Sequence, residues 1–440
     1  MPGTITASTP HAHLDHELLS LALQKVETTA VQQVNKIAIA FSGGLDSTLC
    51  IMLAKVKYGA EVVPITVDVG QGDDEIAMAF EKAALLGIEP ILIDAKEEFS
   101  TEWLTKAIRA NSDYNGYPVS TSMTRQLIAA KVAQKAAELG CDALMEGSTG
   151  KGNDQYRMHN VFKIFAPQCQ ILVPVRDFDL TRAEELALCA HYGVPVEEII
   201  SGGDDKTMWC RSIASGGIGL DTVIPDHVWM WLTPPAKAPD KPATITLAFK
   251  NGLPVALNGE QMPLHELIPA LNTLGGQHGI GKIDIWEDGI MDLKSREIYE
   301  APGAKIILAV HKDIEGMTLT KQQVVFKKSV DAAWASLVYH GEWFQPLKSN
   351  LDAFIASTQA VVEGTWTVSL YKGNIDIVKR ESAASLFKPE IRSIESSGFN
   401  QQLCGPAAYI KGLPFEVLAL RDAEMAKAGN GVKEAVLAGS

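Results

Sequence analysis

The sequence predicts an α/β protein whose N-terminal half forms a doubly wound parallel sheet, followed by an α+β half and a C-terminal helix. Between residues 36 and 200, short apolar runs alternate with stretches of helical periodicity, the pattern of parallel strands joined by helices. After a proline-rich stretch at 233–242, Asn-Gly pairs between short apolar runs indicate antiparallel hairpins. The stretch 415–435 is helix-prone and alternately charged.

Each short apolar run in the first half is predicted to form one strand of the parallel sheet. The predicted strands cover residues 37–40, 62–67, 90–93, 143–145 and 171–173, and the predicted helices cover 17–34, 74–86, 124–139 and 181–192. Ligands of such sheets bind at the carboxyl ends of the strands. Three glycine-containing segments follow these ends, at 41–48, 67–71 and 146–150, so we expect them to converge on one site.

The second half carries the hairpin signals. Asn251-Gly252 lies between runs 245–249 and 254–257, Asn258-Gly259 marks the next turn, and Gly373-Asn374 lies between runs 368–371 and 375–378. Longer helices are expected around 322–340 and 347–363. These patterns predict an N-terminal extension with a helix over 1–34, the parallel-sheet domain over 35–200, the α+β domain over 201–410, and a C-terminal helix or tail over 411–440. The C-terminal helix would be solvated within its domain or would clasp a neighbouring subunit, and the sequence leaves both open.

Composition narrows the class of protein. The 440 residues are 46% hydrophobic and 21% charged, which is typical of a globular protein with sizeable cores. A net charge of −14 argues against a nucleic-acid surface. The six cysteines are scattered without metal spacing and indicate a reducing compartment. With no apolar run approaching a membrane span and no signal pattern, we expect a cytoplasmic protein without membrane contact. We expect no metal site built from protein ligands: His11, His13 and His16 could bind a metal, but the pattern favours a frayed, solvated N-terminal segment.

The most informative segment is residues 40–48, Ala-Phe-Ser-Gly-Gly-Leu-Asp-Ser-Thr. A strand that turns through two glycines into a helix leaves unpaired backbone N–H groups at the positive end of the helix dipole, which is an anion site. The glycines let the backbone approach a phosphate closely. Asp46 is placed to organise a Mg²⁺ ion or a water near the phosphates. The segment is neither a Walker A loop nor a Gly-x-Gly-x-x-Gly fingerprint, and a turn without a ligand is the alternative.

The second chemically rich segment is residues 147–157, in which glycines are interleaved with hydroxyl, amide, carboxylate and cationic groups. Asp154 can pair with an ammonium, and Thr149 and Asn153 can hydrogen-bond a carboxylate or a ureido group. Arg157 can hold a carboxylate in bidentate fashion. The pattern therefore favours a loop that binds a zwitterionic small molecule, with a solvated flexible loop as the alternative.

Two further clusters have structural explanations at least as good as functional ones from sequence alone. The hydroxyl-rich segment 117–125 leads into a helix, so a capped helix start explains Thr121 and Ser122 as well as ligand binding does. Glu287 and Tyr299 lie in the glycine-containing segment 278–300 and could reach across a cleft, but composition alone favours a salt-bridged hairpin.

Taken together, these motifs resemble a known family. The phosphate loop resembles that of the ATP pyrophosphatase enzymes. The ordered set A-F-S-G-G-L-D-S, Y-P-V-S-T-S-x-x-R, G-S-T-G-K-G-N-D-Q-x-R, A-P-Q, H-G-I-G-K-I-D-I and K-S-R-x-I-Y-E-A-P-G is similar to that of argininosuccinate synthases, over roughly residues 36–400. The resemblance implies an ATP-binding domain followed by a synthetase domain, and an ATP- and Mg²⁺-dependent ligase. Such a ligase adenylates citrulline and then lets aspartate displace AMP, giving argininosuccinate. It also implies a homotetramer whose C-terminal helices embrace neighbours.

The resemblance carries site residues over by position. The matched ATP contacts are Ala40, Phe41, Ser42, Gly43, Gly44, Leu45, Asp46, Ser47, Thr48, Val67 and Gly147. The matched aspartate contacts are Thr149, Asn153 and Asp154. The matched citrulline contacts are Tyr117, Ser122, Asn153, Arg157, Ser212, Glu287 and Tyr299.

The chain departs from the family pattern on the citrulline side. Gly203 and Thr207 stand where a serine and an asparagine are usual, and Ala214 stands near the place of an acidic residue. These departures leave open a paralogue that uses another ureido or amide acceptor. A tRNA-modifying ATP pyrophosphatase is opposed by the scattered cysteines and the negative charge. A silent nucleotide-binding protein is opposed by the intact Asp46 and residues 151–157.

Overall fold

The computed structural model describes residues 16–194, 205–214, 218–289 and 292–427. The chain divides into two compact units, one up to Ala384 and one from Ser385. Gly203, one of the departures from the family pattern, lies outside the described residues. The four segments predicted from the sequence stay a prediction.

The first five strands form the predicted parallel sheet. They are β1 (Lys36–Ala40), β2 (Glu61–Asp68), β3 (Ile91–Asp94), β4 (Ala143–Met145) and β5 (Gln170–Leu172). Each pairing is parallel and the spatial order is β3-β2-β1-β4-β5, so the chain reverses direction across the sheet at β1. All five strands lie within one residue of their predicted bounds. The predicted fold class, a doubly wound α/β domain with α+β elements and a C-terminal helix, is confirmed.

Helices cover both faces of this sheet. They are α1 (His16–Thr28), α2 (Leu45–Val56), α3 (Asp73–Leu85), α4 (Lys96–Glu98), α5 (Thr105–Arg109), α6 (Thr121–Glu138), α7 (Asp154–Phe165), α8 (Pro174–Asp177) and α9 (Arg182–His191), with a π-helical turn at Phe99–Leu104 between α4 and α5. Ile37 and Ile39 of β1 pack in one apolar core with α2 and α3, whereas Ala38 faces the large core on the other side. The alternation of β1 side chains therefore explains the double winding.

Helix α6 begins three residues earlier than the sequence predicted, at Thr121. Its N-cap residue, Ser120, makes no side-chain cap hydrogen bond. The Ser120 hydroxyl instead bonds the Thr207 hydroxyl at 2.7 Å between the two oxygens. The hydroxyls of Thr121 and Ser122 therefore lie within the first turn of the helix, and a capping role does not explain them.

Within its described residues, the rest of the first unit builds two antiparallel sheets, four α-helices and two 3₁₀ turns, Asp226–Val228 and Gln359–Val361. The strands are β6 (Asp205–Lys206), β7 (Arg211–Ala214), β8 (Ala243–Lys250), β9 (Leu253–Leu257), β10 (Glu260–Gln261), β11 (Lys282–Asp288), β12 (Lys294–Glu300), β13 (Gly364–Tyr371) and β14 (Asn374–Glu381). The helices are α10 (Leu264–Gln277), α11 (Pro302–Thr318), α12 (Lys321–Tyr339) and α13 (Pro346–Thr358). One sheet has the order β11-β12-β7-β6 and the other the order β10-β9-β8-β13-β14.

The predicted hairpins form, with one correction. Asn251 and Gly252 take the left-handed conformations, φ 51° and 76°, that a tight two-residue turn requires. In the β13–β14 hairpin these positions are Lys372 and Gly373, because Tyr371 pairs with Asn374. The predicted turn Gly373-Asn374 was therefore wrong by one residue: the glycine occupies the second turn position, and Asn374 begins the strand.

Buried contacts hold the segment between α5 and α6 against the second half of the unit. The indole N–H of Trp209 donates to the Pro118 carbonyl at 2.9 Å. The ring nitrogens of His311 contact the Asn111 side-chain oxygen at 2.7 Å and the Gln359 side-chain oxygen at 2.9 Å. These contacts fix the chain on both sides of Tyr117.

The second unit contains α14 (Pro389–Arg392), a 3₁₀ turn at Gln401–Leu403 and α15 (Cys404–Lys427). Helix α15 has no buried side chain. Its length and composition alone, counted over Gln401–Lys427, would allow it to cross a membrane, and it is the one such helix in the described residues. The predicted helix at 415–435 is present as far as Lys427 and begins earlier, at Cys404; residues 428–435 lie outside the described residues.

Candidate active site

A cleft of about 210 Å³ lies at the carboxyl ends of β1, β2 and β4. The segments expected to converge there do so, since the phosphate loop, Val67 and Gly147 all line it. Its apolar lining consists of Ala40, Phe41, Ile65, Val67, Val69, Ile76, Ala79, Ile128 and Met158. Its carboxylates are Asp46, Glu75, Glu146, Asp154 and Asp205. The cleft therefore combines an apolar surface, suited to a flat ring, with a helix N-terminus suited to phosphate.

The phosphate loop has the shape that the sequence predicted. Gly44 is the N-cap of α2 and provides no side-chain cap, which leaves the first N–H groups of the helix available for an anion. Gly43 has φ 73°, and a Cβ there would lie 2.7 Å from the Cα of Ala79. Glycine is thus required at position 43 by both backbone conformation and space.

The nine residues of the loop divide into three groups. Ala40, Phe41, Ser42, Asp46 and Ser47 line the cleft, Gly43 and Gly44 form the turn, and Leu45 and Thr48 face the interior. The Thr48 hydroxyl donates to the Gly44 carbonyl at 2.7 Å, and the Ser47 hydroxyl donates to the same carbonyl at 3.1 Å. These two hydroxyls shape the turn.

Asp46 is held from two sides. Its carboxylate forms an ion pair with Arg182 at the start of α9. A Cβ at Gly147 would lie 2.8 Å from the Asp46 Cβ, so only glycine allows the end of β4 to approach so closely. Beside it, burial and the Asp46 charge raise the pKa of the Glu185 carboxyl well above its ordinary value. Sequence reasoning missed Arg182 and Glu185, which are 136 and more positions from Asp46.

Asp154 lies between two arginines. One of its oxygens accepts from Arg125 Nε at 2.9 Å, and the other accepts from an Arg157 terminal nitrogen at 2.9 Å. Burial would raise the pKa of the Asp154 carboxyl, but the two guanidinium groups outweigh it and hold that pKa below its usual value. Arg125 also pairs with Asp205 of β6. The carboxylate expected to meet a substrate ammonium is thus part of a charged network.

Behind this network, a cluster of phenols surrounds Glu287. The Tyr299 hydroxyl donates to one Glu287 oxygen at 2.7 Å and the Tyr339 hydroxyl to the other at 2.6 Å. The Tyr117 ring stacks on the Tyr299 ring with centroids 4.2 Å apart. The β11–β12 hairpin carries Glu287 and Tyr299, so the expected hairpin is present and it brings the two groups together. Their reach across a cleft to a substrate stays a prediction.

Tyr339 is a further residue of this candidate site that sequence reasoning missed. Its hydroxyl also accepts from the Asn153 amide at 3.0 Å, and its carbonyl accepts from Arg157 Nε at 2.9 Å. It thereby connects Glu287 with two of the residues expected to contact substrate. No local sequence signal marks it, because it is the last residue of α12.

Two buried polar atoms of this region have no partner within the described parts of the chain. They are the Ser122 hydroxyl and the side-chain oxygen of Asn153. Buried polar atoms are normally hydrogen-bonded, so these two point to a polar ligand. Both are among the residues that the sequence resemblance matched to substrate.

The structure places the other predicted residues as follows. Thr149 lies in the turn before α7, where its carbonyl accepts from the Gly152 N–H at 3.4 Å. Ser212 of β7 lies opposite Tyr299 of β12 in the antiparallel sheet. Thr207, which stands where the family usually has asparagine, is buried, and its hydroxyl oxygen accepts from the Trp209 N–H at 3.0 Å. Thr207 therefore holds a turn.

Two family models match the chain and together cover most of it. The arginosuccinate synthase N-terminal HUP domain matches residues 36–195, and the arginosuccinate synthase C-terminal domain matches residues 203–418. The chain belongs to the argininosuccinate synthase family.

Curated argininosuccinate synthases are similar to this chain over nearly their whole length. The one from Methanopyrus kandleri is 42% identical over 394 residues, covering 88% of this chain and 99% of its own. The one from Methanocaldococcus jannaschii is 42% identical over 381 residues, covering 86% of this chain and 96% of its own. The one from Pyrococcus furiosus is 44% identical over 373 residues, covering 84% and 90%.

In an argininosuccinate synthase, a phosphate loop that cannot form its tight turn should bind ATP more weakly. We expect Gly43→Ala to weaken ATP binding by at least about tenfold, because the added Cβ would meet the backbone of Ala79 and displace the loop. The matched control is Gly59→Ala, since Gly59 also has positive φ, 63°, but nothing lies within 4 Å of an added Cβ. Calorimetric titration with ATP checks both. Equal ATP affinity for Gly43→Ala and the wild type would contradict the assignment of the loop.

Proposed function

We propose that this chain joins L-citrulline to L-aspartate in an ATP-dependent reaction that passes through citrullyl-AMP and gives argininosuccinate, AMP and pyrophosphate. The relative positions of three groups of residues support the proposal. The phosphate loop, the Arg125–Asp154–Arg157 network and the phenol cluster around Glu287 follow one another from the cleft inwards. Family membership supports the same reaction.

ATP would bind with its phosphates at the N-terminus of α2 and its adenosine against the apolar lining that includes Val67. Asp46 is the carboxylate that would hold Mg²⁺, because it lines the cleft in the first turn of α2, next to the phosphate loop. The described residues contain no cluster of three or more metal-binding side chains. A Mg²⁺ bound through one carboxylate, waters and substrate phosphates fits that donor set. When bound, the ion would neutralise charge on the departing pyrophosphate.

Citrulline would occupy the space beside Tyr117 and Tyr299, where the Ser122 hydroxyl and the Asn153 oxygen are without partners in the described residues. Arg157 would face a carboxylate, and Glu287 an ammonium. Burial raises the pKa of the Glu287 carboxyl, against the hydrogen bonds from Tyr339 and Tyr299 that lower it. Ser212 would also contact citrulline, whereas Thr149 and Asp154 would contact aspartate.

The chemistry requires two displacements. The ureido oxygen attacks the α-phosphorus of ATP, and pyrophosphate leaves toward the backbone N–H groups of the phosphate loop. The ureido carbon, now attached to a good leaving group, is attacked by the amine of aspartate, and AMP departs. Holding three substrates in register accounts for much of the acceleration expected of such a site.

The assembly proposed for the chain is a homotetramer in the cytoplasm, with small-molecule partners alone. Helix α15 supports an assembly role, because its large apolar side chains are exposed within the chain: Tyr409, Ile410, Phe415, Val417, Leu418 and Leu420. An assembly that covers them would remove that apolar surface from water. The six cysteines are unpaired, which fits a reducing compartment, and the net charge of −14 does not fit a nucleic-acid partner.

A pyrophosphate-release assay with ATP, Mg²⁺, aspartate and a panel of ureido and amide compounds tests the proposal. We expect citrulline to support the fastest turnover, with pyrophosphate and AMP formed in equal amounts. Faster turnover with another ureido compound would show a paralogue with a different acceptor. No acceptor-dependent pyrophosphate at all would refute the ligase proposal.

A second prediction uses the unpartnered hydroxyl of Ser122. Ser122→Ala should raise KM for citrulline by about twofold to tenfold, the value of one neutral hydrogen bond, without lowering the thermal midpoint of unfolding. The matched control is Ser100→Ala. Ser100 is also fully buried, but its hydroxyl donates to the Glu97 carbonyl at 2.8 Å. That control should lower stability and leave KM unchanged. A Ser122→Ala variant that is destabilised with unchanged KM would show that the hydroxyl is structural.

A further inference from the structure

Glu146 directly follows β4, its carboxyl group is buried, and no motif in the sequence assigns it a role. It is 4% exposed and lines the cleft beside Gly147. One of its oxygens, Oε2, accepts from the Ser148 N–H at 2.7 Å and from the Ser148 hydroxyl. The other oxygen, Oε1, is buried and has no hydrogen-bond partner in the described residues. A buried, unpartnered oxygen in the wall of a substrate cleft indicates a contact with the substrate.

The other carboxylates of the cleft are already paired with cations. The pairs are Asp46 with Arg182, Glu75 with Lys206, Asp154 with Arg125 and Arg157, and Asp205 with Arg125. Among the described residues, Glu146 forms no such ion pair. In the described residues it is therefore the cleft carboxyl group that no cation holds, and its buried Oε1 is open to a substrate proton.

The surroundings of Glu146 suit proton exchange near neutral pH. Burial raises the pKa of the Glu146 carboxyl to about 7, helped by the charge of Asp154 on α7 and opposed by Ser148 and by Arg176 on α8. On the α2 side its neighbour is the buried Cys50 thiol, whose own pKa is raised by burial and by the Glu146 charge. A general base is most effective when its pKa lies near the working pH.

The proposed reaction needs a group of this kind. The amine of aspartate arrives as an ammonium ion, which has no lone pair, and must lose a proton before it can attack. Asp154 cannot accept that proton readily, because both its oxygens are bound by arginines that hold its pKa low. Both Glu287 oxygens accept hydrogen bonds from phenols.

We propose that Glu146 is the general base that takes the proton from the α-ammonium of aspartate, an inference that rests on the proposed function. The proton passes to Glu146 Oε1, and the nitrogen lone pair forms the bond to the ureido carbon. The bond from that carbon to the adenylate oxygen breaks, and its electron pair leaves with AMP. The second proton lost by the nitrogen leaves with the AMP phosphate, and Glu146 returns its proton to solvent.

Glu146→Gln tests the inference, because it keeps the shape of the side chain and removes the base. Three rates are measured: single-turnover pyrophosphate release with ATP and citrulline, turnover with aspartate, and turnover with hydroxylamine, an amine that is largely neutral at pH 7. We expect pyrophosphate release within about threefold of wild type, aspartate turnover lower by about 100-fold or more, and hydroxylamine turnover close to wild type. The charge-matched control is Glu138→Gln, an exposed residue at the end of α6, which should leave all three rates unchanged.

The pH profile gives an independent readout. In the wild type, kcat/KM for aspartate should rise with pH as a group with a pKa near 7 loses its proton, and Glu146→Gln should lack this rise. If Glu146→Gln does not fold, Ser148→Ala serves instead. It removes a hydrogen bond that lowers the Glu146 pKa, so the midpoint of the wild-type rise should move to higher pH.

Three results would overturn the inference. The first is an equal loss of pyrophosphate release and aspartate turnover in Glu146→Gln, which would mean that Glu146 binds ATP or citrulline. The second is aspartate turnover at the wild-type rate in Glu146→Gln. The third is a pH profile of Ser148→Ala whose midpoint equals that of the wild type. Failure of the proposed function is distinguishable, because the wild-type chain would then release no pyrophosphate with citrulline.

Discussion

The placement of Asp154 between Arg125 and Arg157 is the interaction on which the rest of the site depends. It joins α6 to α7, continues through Arg125 to Asp205 of β6, and continues through Arg157 to the last residue of α12, Tyr339. Removing one member of such a network leaves a partly buried charge without its partner, which is strongly destabilising. The network therefore fixes α6, α7 and β6 relative to the phenol cluster around Glu287, to which Tyr339 donates a hydrogen bond.

Environment gives the carboxyl groups of this site different properties, although their chemistry is the same. Two guanidinium groups keep the pKa of Asp154 low, whereas burial raises that of Glu146, which forms no ion pair with the described residues, to about 7. Burial beside the Asp46 charge raises the pKa of Glu185 well above its ordinary value. Groups whose pKa values are pushed apart in this way can divide the work of binding charge and moving protons. The proposed reaction needs both, because ATP and aspartate are anionic and the attacking amine arrives protonated.

The sequence was sufficient for features that depend on neighbouring residues. The five parallel strands and the phosphate loop follow from apolar runs and the Ser-Gly-Gly turn, and the structure has them within a residue. Features that depend on distant residues had no local signal. Tyr339 lies 182 positions from Arg157, whose Nε donates to its carbonyl, and it is the last residue of a helix without a distinctive motif. The shift of one turn to Lys372-Gly373 reflects strand register, which a Gly-Asn pair alone does not determine.

The central claim is that the ureido oxygen of citrulline attacks the α-phosphorus of ATP, and oxygen tracing tests it most directly. The wild-type chain is incubated with ATP, Mg²⁺, aspartate and citrulline that carries ¹⁸O in its ureido group, and the AMP is analysed by mass spectrometry. The account predicts AMP with one ¹⁸O in its phosphoryl group, formed in proportion to argininosuccinate, because the carbon–oxygen bond breaks when aspartate attacks. AMP with oxygen from solvent water, or argininosuccinate formed without labelled AMP, would contradict it.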